Sequence, residues 1–184
     1  VGADSDFVSA GNGTDSVFTG EGNDTVVDAG GTDSIWVGAG NDSIAGGAGN
    51  NTIAAGDGIN VITAGDGNNN VTSGSGVDTI TLGNGANTVV SGAGNDAIVA
   101  GNGGNNVDAG DGDDTVATGS GNDTINTGNG NNVVTSGAGN DTITLGTGLD
   151  TVNAGAGDDI IIAGANFDAS GTTTPAPAAP PERA

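Results

Sequence analysis

The chain has no Cys, His, Met or Tyr, and its single basic residue is Arg183. Without His, Cys, Lys or Tyr it lacks the usual general bases, thiol nucleophiles and Schiff-base amines, so catalysis could rest only on a pair of carboxylates. Disulfides are excluded, as are zinc and copper sites built on Cys or His. We therefore predict that the chain is not an enzyme.

Large side chains and long apolar runs are also scarce. One Trp and three Phe cannot fill a conventional core, and no apolar run approaches the roughly 20 residues of a membrane span. Twenty-three acidic residues against one basic residue give a net charge of −22, which repels nucleic acid and anionic membranes and attracts cations. The composition predicts metal ions as partners, with no nucleic acid and no membrane insertion.

A nine-residue repeat runs through most of the chain. Counted from Val1, eighteen rows end at Ile162 without an insertion or deletion. Position 2 of each row is Gly except at Ala29, position 4 is Gly except at Asp4, position 6 is always Asp or Asn, and position 8 is always Val or Ile. Low aromatic content with high net charge is also typical of disorder, but a disordered chain has no need of aliphatic residues at a constant phase.

Each position of the row predicts a local structure. Glycines at positions 2 and 4 permit positive φ and favour a tight turn, while positions 7 to 9 favour a short strand with its middle residue pointing inward. Two rows then make an 18-residue coil with one strand in each of two facing sheets. The prediction is an all-β parallel β-roll, or β-solenoid, of about nine coils, with Phe18 and Trp36 side by side on the outside of one sheet.

Stacking of the coils predicts two columns of metal ligands. It places position 6 of one row beside position 6 of the row eighteen residues later, where two carboxylates would repel unless a divalent cation lay between them. Ca²⁺ accepts six to eight oxygen ligands in tolerant geometry, and turn carbonyls supply more of them. The predicted metal ligands are Asp6, Asp15, Asp24, Asp33, Asp42, Asp78, Asp96, Asp114, Asp123, Asp141, Asp150 and Asp159.

Pairs of neighbouring aspartates predict the stronger calcium sites. There are seven such pairs, 6/24, 24/42, 78/96 and 96/114 on one edge and 15/33, 123/141 and 141/159 on the other. Seven Ca²⁺ ions would lower the net charge from −22 to about −8, a reasonable value for a soluble body. Pairs with one Asn should bind more weakly or not at all. In the column formed by Asn51, Asn69, Asn87 and Asn105, we predict a metal-free ladder of hydrogen-bonded amides.

The rows resemble the RTX calcium-binding nonapeptide, Gly-Gly-x-Gly-x-Asp-x-aliphatic-x. The match covers residues 1 to 162 and includes typical copies such as "GAGNDTITL" and "AGDGDDTVA". It departs at position 1, where Gly46 is the one glycine. The resemblance implies a right-handed parallel β-roll, calcium-dependent folding and export to the cell exterior, often by a type I secretion route.

The full prediction divides the chain into three parts. Residues 1–162 form the roll, residues 163–171 form a degenerate last row that includes Asp168, and residues 172–184 form a Thr/Ala/Pro-rich linker or disordered tail. The predicted function is a calcium-stiffened structural segment of a secreted or cell-surface protein, such as an adhesin or an S-layer. Its copies would assemble end to end or contact neighbouring domains. Two alternatives stay open, an ice-binding solenoid and an accessory module of a secreted enzyme.

Overall fold

A computed structural model of the protein describes residues 2–164, which form strands and turns and include no helix that could cross a membrane. Positions 7 to 9 of every row form a strand, as the repeat predicts. Strands of the odd rows make one nine-stranded sheet, the odd sheet: Phe7–Ser9, Thr25–Val27, Ser43–Ala45, Val61–Ala64, Thr79–Leu82, Ala97–Val99, Thr115–Ala117, Val133–Thr135 and Thr151–Asn153. Strands of the even rows make a second, the even sheet: Ser16–Phe18, Ser34–Trp36, Thr52–Ala54, Asn70–Thr72, Thr88–Val90, Asn106–Asp108, Thr124–Asn126, Thr142–Thr144 and Ile160–Ile162.

All strand pairs are parallel, and each residue pairs with the residue eighteen positions later. Val8 lies beside Val26 in the odd sheet, and Ile125 lies beside Ile143 in the even sheet. A small third sheet joins Asn12–Gly13 to Gly30–Gly31 within the turns. The predicted fold is confirmed, because this register makes a parallel β-solenoid of 18-residue coils.

The core lies between the two sheets and contains the aliphatic residue of every row. All eighteen position 8 side chains belong to it, with Val8 and Ile161 partly buried at the two ends. Position 1 also points inward, which the repeat did not reveal, and contributes Val37, Leu82 and Leu145 among others. Most other residues at position 1 are small, since the corner of the coil leaves little volume. Rows with an aliphatic residue at position 1 therefore bury more apolar surface than one Val or Ile supplies.

Positions 7 and 9 face outward, as predicted. Phe18 and Trp36 pair across neighbouring strands of the even sheet, and their rings stack with centroids 4.6 Å apart and planes inclined by 7°. This contact confirms the predicted pair. Exposed apolar side chains such as Phe7, Val90 and Ile160 interrupt the outward threonine columns, so neither sheet presents an uninterrupted threonine face.

Glycine at position 4 lets successive turns stack in direct backbone contact. Gly94 has φ of 134° and donates its N–H to the carbonyl of Asp111 at 2.8 Å. A Cβ atom on Gly94 would overlap the carbonyl oxygen of Gly76 in the preceding coil. An L side chain is thus excluded by conformation and by space.

Residues 165–184 lie outside the described part of the chain. The predicted linker at 172–184 falls wholly there, as does most of the degenerate row at 163–171 with Asp168. The division at Ile162 stays a prediction, although the last strand, Ile160–Ile162, ends at that residue.

Candidate metal sites

The position 6 side chains form two continuous columns, one on each edge of the roll. In every neighbouring pair, the backbone N–H of one residue donates to the side-chain Oδ1 of the residue eighteen positions later, at 2.7 to 3.2 Å. All twelve predicted aspartates take part, and the seven predicted pairs are brought together. This bond explains why position 6 is always Asp or Asn, because both supply an Oδ1 acceptor.

These side chains lie inside the roll rather than on its surface. Nine of the twelve aspartates are buried, while Asp6, Asp15 and Asp159, near the ends of the columns, are half-buried. The Oδ1 bond accounts for one oxygen of every carboxylate except those of Asp6 and Asp15, which stand first in their columns. The environment of the second oxygen therefore decides what the column can bind.

The asparagine rows show what surrounds that second atom. The Nδ2 of Asn60 donates to the carbonyl oxygens of Gly56 at 3.1 Å and Gly58 at 3.4 Å, which occupy positions 2 and 4 of its own row. The Nδ2 of Asn105 likewise donates to Gly101 at 3.2 Å and Gly103 at 2.9 Å. Each asparagine amide thus fills a pocket of carbonyl oxygens.

In the aspartate rows the same place holds an oxygen, which cannot donate when the carboxylate is ionised. Ten position 6 aspartates have a buried Oδ2 without any hydrogen-bond partner among the described residues: Asp15, Asp24, Asp33, Asp42, Asp78, Asp96, Asp114, Asp123, Asp141 and Asp150. Except at Asp15, the first of its column, the Oδ1 of each of these aspartates accepts the same backbone bond as in the asparagine rows, so we infer that Oδ2 points towards the turn carbonyls that the asparagine amides contact. Such an all-oxygen pocket requires a proton or a hard cation such as Ca²⁺.

The electrostatics of the columns agree with this geometry. Burial raises the pKa of Asp114 to about 6, and the negative charge of Asp96 adds to the shift against a backbone hydrogen bond that lowers it. Burial also raises the pKa of Asp42, Asp96 and Asp123 above the ordinary range. In the absence of a cation, these groups favour the protonated state more than exposed aspartates do.

The raised pKa values predict that protons partly replace calcium. In EGTA, the chain should gain β structure as the pH falls from 7 towards 5, because a carboxyl with a raised pKa stabilises the fold in its protonated form. For Asp114 this contribution is complete below the ordinary pKa of about 3.9 and is lost as the pH rises through about 6. Far-UV circular dichroism of a dilute sample measures the effect.

The matched measurement uses saturating calcium. In calcium the chain should lose β structure as the pH falls, since protons compete with Ca²⁺ for the same carboxylates. A calcium-free chain that loses β structure on acidification would contradict the assignment of Oδ2 to an oxygen-only pocket.

Three of the four asparagines in the predicted ladder on the even edge are joined by hydrogen bonds between their side-chain amides. The Nδ2 of Asn69 donates to the Oδ1 of Asn87 at 3.2 Å, and the Nδ2 of Asn87 donates to the Oδ1 of Asn105 at 3.1 Å. The Nδ2 of Asn51 instead donates to the carbonyl oxygen of Gly46 at 2.8 Å. The amides satisfy one another and the turn carbonyls, and the absence of metal at these rows stays a prediction.

Sequence reasoning missed Asp28, which occupies position 1 of the fourth row. Its carboxylate lies with those of Asp15 and Asp33, with ligand oxygens of all three within 4.8 Å of one another. Burial, followed by the charges of Asp33 and Asp15, raises the pKa of Asp28, while a backbone hydrogen bond from Gly30 lowers it. A signal was present, because Asp28 is the one charged residue at position 1 among the eighteen rows.

Exposed side chains at positions 3 and 5 form further ladders that the repeat did not reveal. The Oδ1 of Asn23 accepts the N–H of Asn41 at 2.8 Å, and the Oδ1 of Asp66 accepts the N–H of Asn84 at 2.7 Å. These bonds run in the opposite direction to those of position 6, because here the earlier row supplies the acceptor. They stabilise the outer side of the turns without a metal.

Comparison with known proteins matches the chain to a family of repeats. The model of the RTX calcium-binding nonapeptide repeat matches in overlapping copies that together span residues 1–169, beginning with 1–26 and 18–53 and ending with 108–143 and 135–169. No curated protein and no solved structure matches the chain. Repeats of this family bind calcium, and the structure supplies the carboxylates and turn carbonyls that such binding needs. The chain belongs to the RTX calcium-binding nonapeptide repeat family.

Proposed function

We propose that this chain is a calcium-dependent structural segment of a secreted or cell-surface protein, and that it folds and stiffens when Ca²⁺ binds. One observation carries the proposal, namely the ten buried position 6 Oδ2 atoms without a partner. A fold that leaves so many ionised oxygens unpaired is strongly destabilised at neutral pH. Ca²⁺ would remove that cost, so binding free energy becomes folding free energy.

The ions would occupy the seven aspartate pairs. Each would be held by position 6 carboxylates and by the turn carbonyls of positions 2 and 4, as the amide contacts of Asn60 indicate. Mixed pairs such as 42/60 would bind weakly, because the asparagine amide already fills its pocket. Several ions per chain would therefore line both edges of the roll, separated on the even edge by the asparagine ladder.

The proposed role is mechanical rather than catalytic. The buried aspartates are engaged in the columns, and the family and the fold are those of a structural repeat. RTX repeats are typical of secreted proteins, and calcium is abundant outside cells, so the segment would be soft during export and rigid afterwards. Use in an adhesin or S-layer and association of copies end to end belong to the same proposal, and sedimentation velocity in calcium tests the association.

The test is a calcium titration after treatment with EGTA, followed by far-UV circular dichroism, with magnesium as the control. We expect a transition from coil to β structure with calcium and little change with magnesium, because Mg²⁺ demands an octahedral site and dehydrates reluctantly. A spectrum that is fully β-rich in EGTA at pH 7 would overturn the proposal. In that case the outer side-chain ladders and the aliphatic core would suffice for folding.

A further inference from the structure

The fourth row, residues 28–36, departs from the repeat at two adjacent positions. It has Asp28 at position 1 and Ala29 at position 2, where every other row has glycine. The glycines with positive φ in this row are Gly30 and Gly31, at 136° and 154°, so they stand at positions 3 and 4 rather than 2 and 4. The turn therefore has its own backbone path, and it carries a carboxylate at a position that is otherwise uncharged.

The carboxylate of Asp28 is buried, and only one of its two oxygens accepts a hydrogen bond. The side chain is 5% exposed, and its Oδ1 accepts the N–H of Gly30 at 2.9 Å. Its Oδ2 is buried without a partner, as are the Oδ2 atoms of Asp15 and Asp33, and Asp33 is itself only 1% exposed. The bond from Gly30 gives Oδ1 the ordinary role of an acceptor within a turn. It does not account for the burial of Oδ2 without a partner.

We propose that Asp15, Asp28 and Asp33 form a three-carboxylate cation site that fills before the two-carboxylate sites elsewhere in the roll. Ligand oxygens of the three lie within 4.8 Å of one another, a spacing at which one cation can contact all of them. A third carboxylate raises the attraction for a divalent ion, and affinity in oxygen sites follows the number of charged ligands. Three negative charges also suit a trivalent lanthanide, whose charge would balance them.

The inference rests on the proposed function, because Asp15 and Asp33 are a position 6 pair. It adds a ligand outside the repeat pattern and an order of filling. Calcium entering at this site first would organise the second to fourth rows, and neighbouring coils could then grow on an ordered surface.

Terbium supplies the probe, since the single tryptophan lies nearby. Trp36 follows Asp33 by three residues, which limits the separation of their Cα atoms to about 11 Å. Titration of the calcium-free full chain with Tb³⁺, excited through Trp36, should show an early phase of sensitised emission. The Asp28→Asn variant should require about tenfold more Tb³⁺ for that phase, because it keeps an Oδ1 acceptor for Gly30 and loses one charge.

Two further variants make the assignment specific. Glu21→Gln removes one charge from an exposed side chain in the row before Asp28 and should leave the early phase unchanged. Asp42→Asn alters the 24/42 pair on the other edge, where Asp42 follows Trp36 by six residues, and should leave the early phase intact as well. Loss of the early phase in Asp42→Asn but not in Asp28→Asn would overturn the inference, as would an equal effect of Glu21→Gln.

The two proposals fail in distinguishable ways. If calcium and terbium produce neither emission nor β structure in the parent chain, the proposed function fails. In the second outcome, the parent chain folds and binds terbium while Asp28→Asn reaches the early phase at the same Tb³⁺ concentration as the parent. In that case the proposed function stands and the three-carboxylate site is wrong. Circular dichroism at saturating calcium checks that Asp28→Asn reaches the β content of the parent.

Discussion

Replacement of Asp78, Asp96 and Asp114 together by asparagine is expected to stabilise the calcium-free fold and to weaken the calcium-bound one. Each new Nδ2 would donate to turn carbonyls as Asn60 does, which removes an unpaired buried oxygen and adds hydrogen bonds. We expect a gain of about 2 kcal/mol for each site in EGTA. In calcium the variant should lose the ions predicted between these three residues.

Urea unfolding in EGTA and in calcium, with calcium stoichiometry from calorimetry, measures both effects. The matched control replaces Asp57, Asp66 and Asp158 by asparagine, since these carboxylates are exposed and the change of net charge is identical. An equal gain in the control would assign the effect to net charge rather than to the pocket. A buried triple variant that is less stable than the parent in EGTA would contradict the geometry of the column.

Replacement of Gly94 by alanine should strongly destabilise the roll, although it adds only one methyl group. The new Cβ would overlap the carbonyl oxygen of Gly76, and φ of 134° is unfavourable for an L side chain. We expect a loss of about 3 kcal/mol or more in the free energy of unfolding in calcium, measured by urea denaturation. The stacked turns on both sides of Gly94 would have to separate, so neighbouring calcium sites should weaken as well.

Gly11→Ala is the control for the Gly94 variant. A Cβ at Gly11 would meet no heavy atom within 4 Å, and its φ lies outside the left-handed region. Its free energy of unfolding should change by less than about 1 kcal/mol. Equal destabilisation by the two substitutions would contradict the assignment of the Gly94 effect to overlap between coils, because loss of freedom in the unfolded chain alone favours the fold.

The period of the repeat predicts the fold to the level of individual strands. Position 8 carries the signal, because its side chain is always Val or Ile and always faces the core. Position 1 also faces the core but holds residues as different as Ala55, Ser73 and Leu82, so it gives no periodic signal. Residue type alone therefore does not reveal that position 1 points inward.

The sequence predicts the two columns of position 6 side chains, but not the hydrogen bonds of the individual carboxylate oxygens or the contribution of Asp28. The nine-residue period shows which position 6 residues stack. The different roles of Oδ1 and Oδ2 become clear only once the backbone donors and turn carbonyls are placed. Asp28 was missed because its carboxylate reaches the column from position 1, through a turn that Ala29 alters. An irregular row inside a regular array therefore indicates where to look for an additional ligand.

The constant offset of eighteen residues between paired strands has a consequence for how quickly the chain can fold. Nearly all pairing in the sheets, from Val8 with Val26 to Ile143 with Ile161, spans the same short stretch of chain. For 184 residues this corresponds to a relative contact order of about 0.1, a value typical of helical bundles rather than of β-sandwiches. The entropy lost on closing the next loop is the same at every coil, because each loop has the same length. A longer array of the same kind would therefore add stability coil by coil, and its growth step would not slow as the array lengthens.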